Sequence, residues 1–296
     1  MKKPDVLCLG TIKLGIPDYG FSSNSTPSLF DPLVFLKQVK LMGISRFDTS
    51  PRYGQSEEIL GSYIAQSRTT PFVSSKIDNL RPGDSDTPGN MLASVQASLL
   101  KLHLTKLDIC YLHQNELEII SDPYVHEGLN LLKQQNLIRY TGASLYGFEE
   151  CEYALESKLF DIIQVPVSVF DVTYYNRFIR EKSNSVRFVA RSLLLQGILA
   201  NRNAINSRIR QSQQILRYLN QLDQLAQECN LSTLELALAF VFSLRNIDHY
   251  LIGTTSIENL EKDIQCLEVK LPSKVFMRVL EAASQPKSWA DPRNWN

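Results

Sequence analysis

A chain of 296 residues, 44% of them apolar, with 31 basic and 31 acidic side chains and no net formal charge, can bury one sizeable core. It lacks the clustered basic footprint of a nucleic-acid binder. No stretch approaches the length of a membrane span, and the start MKKPDVLCLG has too short an apolar run for a secretion signal.

No linker divides the chain, so residues 1–296 read as a single domain, with neither nucleic acid nor membrane expected as a partner. The five cysteines, Cys8, Cys110, Cys151, Cys229 and Cys266, are scattered, odd in number and set in apolar runs. That pattern suggests neither a disulfide framework nor a metal site, but the buried thiols of a cytoplasmic protein.

In chain order, short β-like runs alternate with helical spacing. Val6 to Gly10 reads as the first strand, and Asp31 caps a helix through Leu41. Ser45 to Asp48 is the second strand. It opens the stretch RFDTSPRYGQSEEILGSYI, in which Pro51 and Gly54 break the backbone before Glu57 to Ile64 resumes helical spacing. Asp48 and Tyr53 therefore lie at a strand's carboxyl end and on the loop beyond it. Further strands are expected at Phe72 to Ile77, Leu107 to Tyr111, Tyr140 to Ala143, Ile162 to Val165, Val186 to Ala190 and Tyr250 to Ile252. Helices are expected at Met91 to Leu102, Val125 to Gln135, Phe148 to Ser157, Tyr174 to Lys182, Thr233 to Ser243 and Ile257 to Leu267.

Eight alternating units predict a parallel sheet closed into an α/β (β/α)8 TIM barrel. The doubly wound alternative lacks its marker, since no GxGxxG or GxxxxGK[ST] follows any strand. An insert from Leu193 to Leu231 contains Gln-rich helical material from Ile205 to Cys229, and a last helix from Ser273 to Ala283 leads into QPKSWADPRNWN. That tail holds both tryptophans. It reads either as a disordered polar end or as a loop over the barrel mouth anchored by Trp289 or Trp295.

The strand ends can then be compared. Lys76 closes the third strand, His113 follows the fourth, and Asp48 and Tyr53 follow the second, so all four meet at one rim. A solvated lysine and a core histidine are the ordinary readings one at a time, but not of the four together.

FDTSPRYGQSEEILG, SSKI, LDICYLHQ, YTGASLYG, LQGIL and LIGTTSIENLEKDI occur in the order and spacing of the aldo-keto reductases, and the chain resembles that family over nearly its whole length. The resemblance implies a (β/α)8 barrel with extra helices and a nicotinamide dinucleotide extended across the carboxyl-end rim. It also implies a catalytic tetrad of Asp48, Tyr53, Lys76 and His113. The chemistry of those groups agrees. Hydride addition to a carbonyl needs a proton donor, here Tyr53. A free phenol has a pKa of about 10, which a neighbouring ammonium, Lys76, is expected to lower. Asp48 holds the lysine, His113 orients the carbonyl by a hydrogen bond, and no metal is needed.

By the same resemblance the cofactor meets Gly10 and Thr11 after the first strand, Ser144 and Gln164 at the carboxamide, and Arg191 and Ser192 after the seventh strand. Leu145 stands where many members have asparagine, and Arg191 where they have a stacking aromatic. Gly253, Thr254, Thr255, Ser256, Asn259 and Lys262 fall in the segment that wraps the adenosine phosphate. NADP(H) is expected, with NAD(H) as its competitor. The implied function is NAD(P)(H)-dependent interconversion of an aldehyde, ketone or sugar carbonyl and its alcohol. The alternatives are an NAD-dependent aldose 1-dehydrogenase and a non-catalytic, cofactor-binding regulatory subunit. The loops Ile16 to Pro32 and Asn115 to Asp122 and the tail, which would shape a substrate pocket, carry no readable signature.

Overall fold

The structure is a computed structural model that describes all residues except 1–2, 21–29, 69, 183–184, 200–201, 203–204, 206–208 and 296. Eight parallel strands close into a barrel in chain order. They are β1 (Leu7–Gly10), β2 (Arg46–Asp48), β3 (Phe72–Ile77), β4 (Leu107–Leu112), β5 (Ile138–Ser144), β6 (Ile162–Pro166), β7 (Arg187–Arg191) and β8 (His249–Ile252). Closure is made by β1 on β8, with Leu9 opposite Ile252. Around the strands lie α1 (Ile12–Gly15), α2 (Pro32–Leu41), α3 (Ser56–Ser67), α4 (Thr87–Leu102), α5 (Leu117–Ile120), α6 (Pro123–Gln134), α7 (Phe148–Glu156), α8 (Ser212–Gln227), α9 (Thr233–Ser243), α10 (Ile257–Gln265) and α11 (Ser273–Ser284).

Successive strand residues face opposite sides, so each strand divides between the barrel interior and the surrounding helices. Cys8, Phe72, Ile109, Tyr111, Ile162 and Val189 fill the interior. Gly142 is required there, because a Cβ on it would meet the Tyr111 ring at 2.4 Å. The outward positions, such as Leu9, Phe47, Val73 and Ile163, join the helices in the main core. This parity matters for function. Asp48, Lys76, Ser144, Gln164 and Arg191 all carry the inward phase at the carboxyl ends of their strands.

The helices form where local chemistry starts them. Asp31 accepts from the N–H groups of Leu33 and Val34 and caps α2. Ser232 and Glu235 make a reciprocal capping box for α9, whose residues Leu236 to Phe242 are all buried.

Several boundaries differ from expectation. Val6 belongs to a 3-10 turn begun by Pro4 rather than to β1. β5 starts at Ile138, which pairs with Leu107, and continues to Ser144. β7 starts at Arg187, which pairs with Ile162, the first residue of β6, and the Val186 carbonyl accepts from Lys182 Nζ at 3.2 Å. The stretch from Tyr174 to Lys182 is wound as a π-helical turn over Tyr175–Ile179, beside the packed rings of Phe148, Tyr174 and Phe178. The Gln-rich helix runs from Ser212 to Gln227, and the expected part at 206–208 lies outside the described residues, as does 21–29 of the first pocket loop. Cys229 is half-buried, whereas the other four cysteines are buried. Among the described residues no helix is long and apolar enough to cross a membrane.

Candidate active site

Register brings the first two site residues together. Asp48 on β2 pairs with Ser74 on β3, and Lys76 lies two residues further along the same inward face. Lys76 Nζ donates to Asp48 Oδ1 and, at 2.8 Å, to the Thr49 carbonyl. Asp48 Oδ2 accepts from Ser74 Oγ at 3.0 Å and from Gln164 Nε2 at 3.2 Å. Both partners of the ion pair are 2% exposed, a burial that is tolerable only because these further hydrogen bonds satisfy the carboxylate. Burial pulls the Lys76 ammonium down, but Asp48 and Tyr53 together hold it above its ordinary value.

Tyr53 is placed by a close crossing of two loops. A Cβ on Gly15 would lie 1.7 Å from the Tyr53 carbonyl, and Gly54, at φ +57°, has the Gly15 carbonyl 2.5 Å from its own Cβ position. Only glycine fits either site. Lys76 Nζ lies 4.8 Å from the centre of the Tyr53 ring. The phenol is nonetheless pushed up, since burial outweighs the lysine. Lys76 does lower this phenol as expected, but the net lowering expected from it is corrected: burial, joined by the charge of Asp48, leaves Tyr53 raised.

His113 stands edge-on to Tyr53, with ring centroids 6.1 Å apart. Its Nδ1 is 2.6 Å from Asp78 Oδ2, and Arg52 Nε lies 3.4 Å from the same oxygen. Sequence reasoning missed Asp78, which reads as a turn residue after a strand; its only signal is the inward parity shared with Ser74 and Lys76. It also missed Glu57, which is 1% exposed on α3. Its Oε1 accepts from Ser75 Oγ at 2.6 Å and its Oε2 has no partner.

The candidate cofactor positions divide into two groups. Ser144 Oγ donates to Gln164 Oε1 at 3.0 Å, so these two act as one polar unit joined to Asp48. Gly10 pairs with Asp48. Thr11 is fully buried, and its hydroxyl is committed to the Asp48 carbonyl at 3.0 Å and Ser56 Oγ at 2.6 Å, which leaves its side chain no outward contact. Arg191 is 6% exposed. Its guanidinium lies 3.7 Å from the centre of the Tyr146 ring and donates to the Leu145 carbonyl at 2.8 Å, while Nε has no partner. One face of the expected stacking group is thus already on Tyr146, a residue not singled out from the sequence. Ser192 follows in left-handed conformation, at φ 59°.

At the far end Gly253 is open, with nothing within 4 Å of a built Cβ. Ser256 caps α10 by accepting from Asn259 N at 3.1 Å and donates to Glu258 at 2.6 Å, so its hydroxyl is committed. Thr254 Oγ1 accepts from Ser256 N at 3.1 Å. Asn259 and Lys262 are exposed. Asp263 is buried, which pushes its carboxyl up to about 7. Among the described residues no group of three or more His, Cys, Asp or Glu could hold a metal ion.

The tail is folded. Trp289 packs against Phe170 and Tyr218 with ring centroids 5.7 and 5.6 Å away, and Trp295 Nε1 donates to the Trp289 carbonyl at 2.7 Å. Arg293 lies over Tyr146 at 4.1 Å. The segment therefore rests on the loops that follow β5 and β6, at the carboxyl end of the barrel.

Chemistry gathered on strand ends and βα loops is the layout of (β/α)8 barrels whose sites lie at the carboxyl-end rim. The finer assignment comes from similarity: residues 6–284 match the model of the aldo/keto reductase family, and the chain belongs to that family. It is similar to L-galactose dehydrogenase of Arabidopsis thaliana, at 27% identity over 218 residues, 67% of this chain and 68% of that protein. It is also similar to L-glyceraldehyde 3-phosphate reductase of Escherichia coli O157:H7, at 25% identity over 76% of this chain and 75% of the other. In fold it superposes on a holo-form aldo-keto reductase from Bacillus halodurans with a TM-score of 0.71, at 19% identity, covering 96% of this chain and 95% of that one.

Proposed function

We propose that the protein is an NAD(P)(H)-dependent oxidoreductase that interconverts a small aldehyde, ketone or sugar carbonyl and its alcohol. The observation that carries this reading is the buried Asp48–Lys76 pair set against the Tyr53 ring, with His113 beside it.

In this reading Tyr53 is the proton donor in reduction and the acceptor in oxidation. Its raised value keeps the phenol protonated through the neutral range, which suits donation to an oxygen that becomes strongly basic as negative charge develops. Lys76 opposes the burial of a phenolate in the reverse direction, and Asp48 keeps Lys76 charged and fixed. His113 meets the substrate oxygen.

The residues present fit a nicotinamide dinucleotide. Arg191 Nε is a buried donor without a partner, and the open backbone at Gly253 leads to the N-terminus of α10, a ready anion site. Bound there, the cofactor supplies or accepts the hydride. Ser144, Gln164 and Arg191 would hold its nicotinamide end, and Thr255 with the first turn of α10 its adenosine end. NADP(H) is the reading the family resemblance favours. That first turn carries Glu258 and no cation, and Lys262 lies only in the last turn of α10, so discrimination against NAD(H) is modest.

Tyr53→Phe tests the proposal. The variant should bind the dinucleotide as the wild type does and lose more than about tenfold in kcat over a panel of aldehydes, ketones and aldoses, a barrier increase above ~1.4 kcal/mol. Retention of wild-type turnover would remove Tyr53 from its role. Cofactor binding by the wild type with no turnover of any panel member would favour the regulatory-subunit alternative.

A further inference from the structure

Asp78 lies one residue beyond β3, on the inward phase of Ser74 and Lys76. Its carboxylate is 5% exposed and sits 2.6 Å from His113 Nδ1. The backbone N–H of His113 donates to the Ile77 carbonyl at 3.0 Å, so main-chain pairing holds the two side chains at one height. A carboxylate only accepts, and the shared hydrogen therefore belongs to Nδ1. A neutral imidazole carries a single ring hydrogen. With that hydrogen on Nδ1, Nε2 is a bare acceptor.

We infer that Asp78 is a positioning residue that sets the tautomer of His113 and thereby the direction of its hydrogen bond to the substrate oxygen. The link to substrate rests on the proposed oxidoreductase function; the tautomer does not. Neutral His113 accepts from the hydroxyl of an alcohol, whereas only the imidazolium donates to a carbonyl oxygen. An unconstrained neutral ring could do either by moving its hydrogen to Nε2, and Asp78 removes that choice.

The other groups around the ring do not compete for it. Tyr53 presents its ring edge-on at 6.1 Å. Arg52 reaches Asp78 rather than the imidazole, and its side chain is 58% exposed. Lys76 is engaged with Asp48 and the Thr49 carbonyl. Among the described residues Asp78 is the one carboxylate in contact with His113. Removing Asp78 should therefore favour carbonyl substrates over alcohols, because the freed neutral ring can donate from Nε2.

Heteronuclear NMR of the ring nitrogens reads the tautomer in the ligand-free protein. The chain has four histidines, and His113 is assigned by its loss in His113→Asn. The wild type should show Nδ1–H, and Asp78→Leu should populate Nε2–H, with Asp78→Ala as the second variant where leucine prevents folding. An Nε2–H ring in the wild type, or a tautomer that neither variant changes, overturns the inference. In steady-state kinetics Asp78→Leu should lower the KM for a carbonyl substrate relative to that for the alcohol by roughly three- to tenfold, the worth of one neutral hydrogen bond. An unchanged ratio also overturns it. Absence of all turnover with the Nδ1–H tautomer intact would instead remove the oxidoreductase reading and leave the tautomer assignment standing.

Discussion

Asp48 and Lys76 form an ion pair in which each side chain is 2% exposed, and the lysine also donates to the Thr49 carbonyl and to Tyr53. Removing the cation leaves a carboxylate inside the barrel. Lys76→Met should therefore lower stability by about 3 kcal/mol, near the bottom of the range for a broken buried pair, since Ser74 and Gln164 still donate to Asp48. Urea unfolding of both proteins measures the difference. A variant with an unshifted midpoint and a normal pH–rate profile would sink both the energetic account and the catalytic role of the pair.

Asp263 predicts a pH dependence with a definite sign. Burial raises its carboxyl from 3.8 to about 7, so the folded state keeps a proton that the unfolded state releases. Its contribution to stability is complete below the unfolded value and is lost as pH rises through about 7. Asp263→Asn should then stabilise the protein at pH values above 7 by roughly 2–4 kcal/mol and make little difference in acid. Equal effects at both ends of a denaturation series run across that range would show that the carboxyl titrates normally. His249 works in the opposite sense. Burial lowers it from 6.5 to about 4, and its contribution disappears as pH falls through that interval.

The folded tail depends on Lys287, whose ammonium donates to the carbonyls of Phe170, Ala282 and Gln285 at 3.1, 2.6 and 2.7 Å. These bonds tie the segment that carries Trp289 to the end of α11 and to the loop after β6. Lys287→Met should loosen the tail by about 1.5–3 kcal/mol, the range for hydrogen bonds to a charged group. Amide exchange over 288–295 should quicken while the barrel strands keep their protection. Unchanged exchange in the tail would mean that the tryptophans hold it unaided.

Cofactor choice can be probed at the start of α10. Asn259 is exposed beside Ser256, whose hydroxyl is committed to the helix cap and to Glu258. The wild type should prefer NADPH by less than roughly a hundredfold, about 2.7 kcal/mol. Asn259→Arg should tighten NADPH by about 1.5–3 kcal/mol through a charge-assisted bond and leave NADH nearly unchanged. Titration of both cofactors against both proteins decides it, and a strong native preference that the arginine does not alter would locate the 2′-phosphate elsewhere.

Some of this was legible before any coordinates. The strict alternation of strand-like and helical spacing identified the closed parallel barrel, because both periods are local properties of the chain. The placement of Asp48, Tyr53, Lys76 and His113 at one rim followed from the same pattern, since residues at the carboxyl ends of neighbouring barrel strands converge whatever lies between them. Boundaries were less legible. Where β7 begins follows its pairing, with Arg187 opposite Ile162 at the start of β6, a register that no local pattern encodes.

What only the tertiary structure decided are the pairings and the electrostatics. The partnership of Asp78 with His113 spans 35 positions, and that of Arg191 with the Leu145 carbonyl spans 46; neither spacing has a period to betray it. The tail could be disordered or folded until Trp289 was seen against Phe170 and Tyr218. Sequence chemistry set Lys76 near Tyr53 and expected a lowered phenol. The fold raised it instead, because desolvation and the charge of Asp48 are properties of the surrounding volume, which a one-dimensional spacing does not contain.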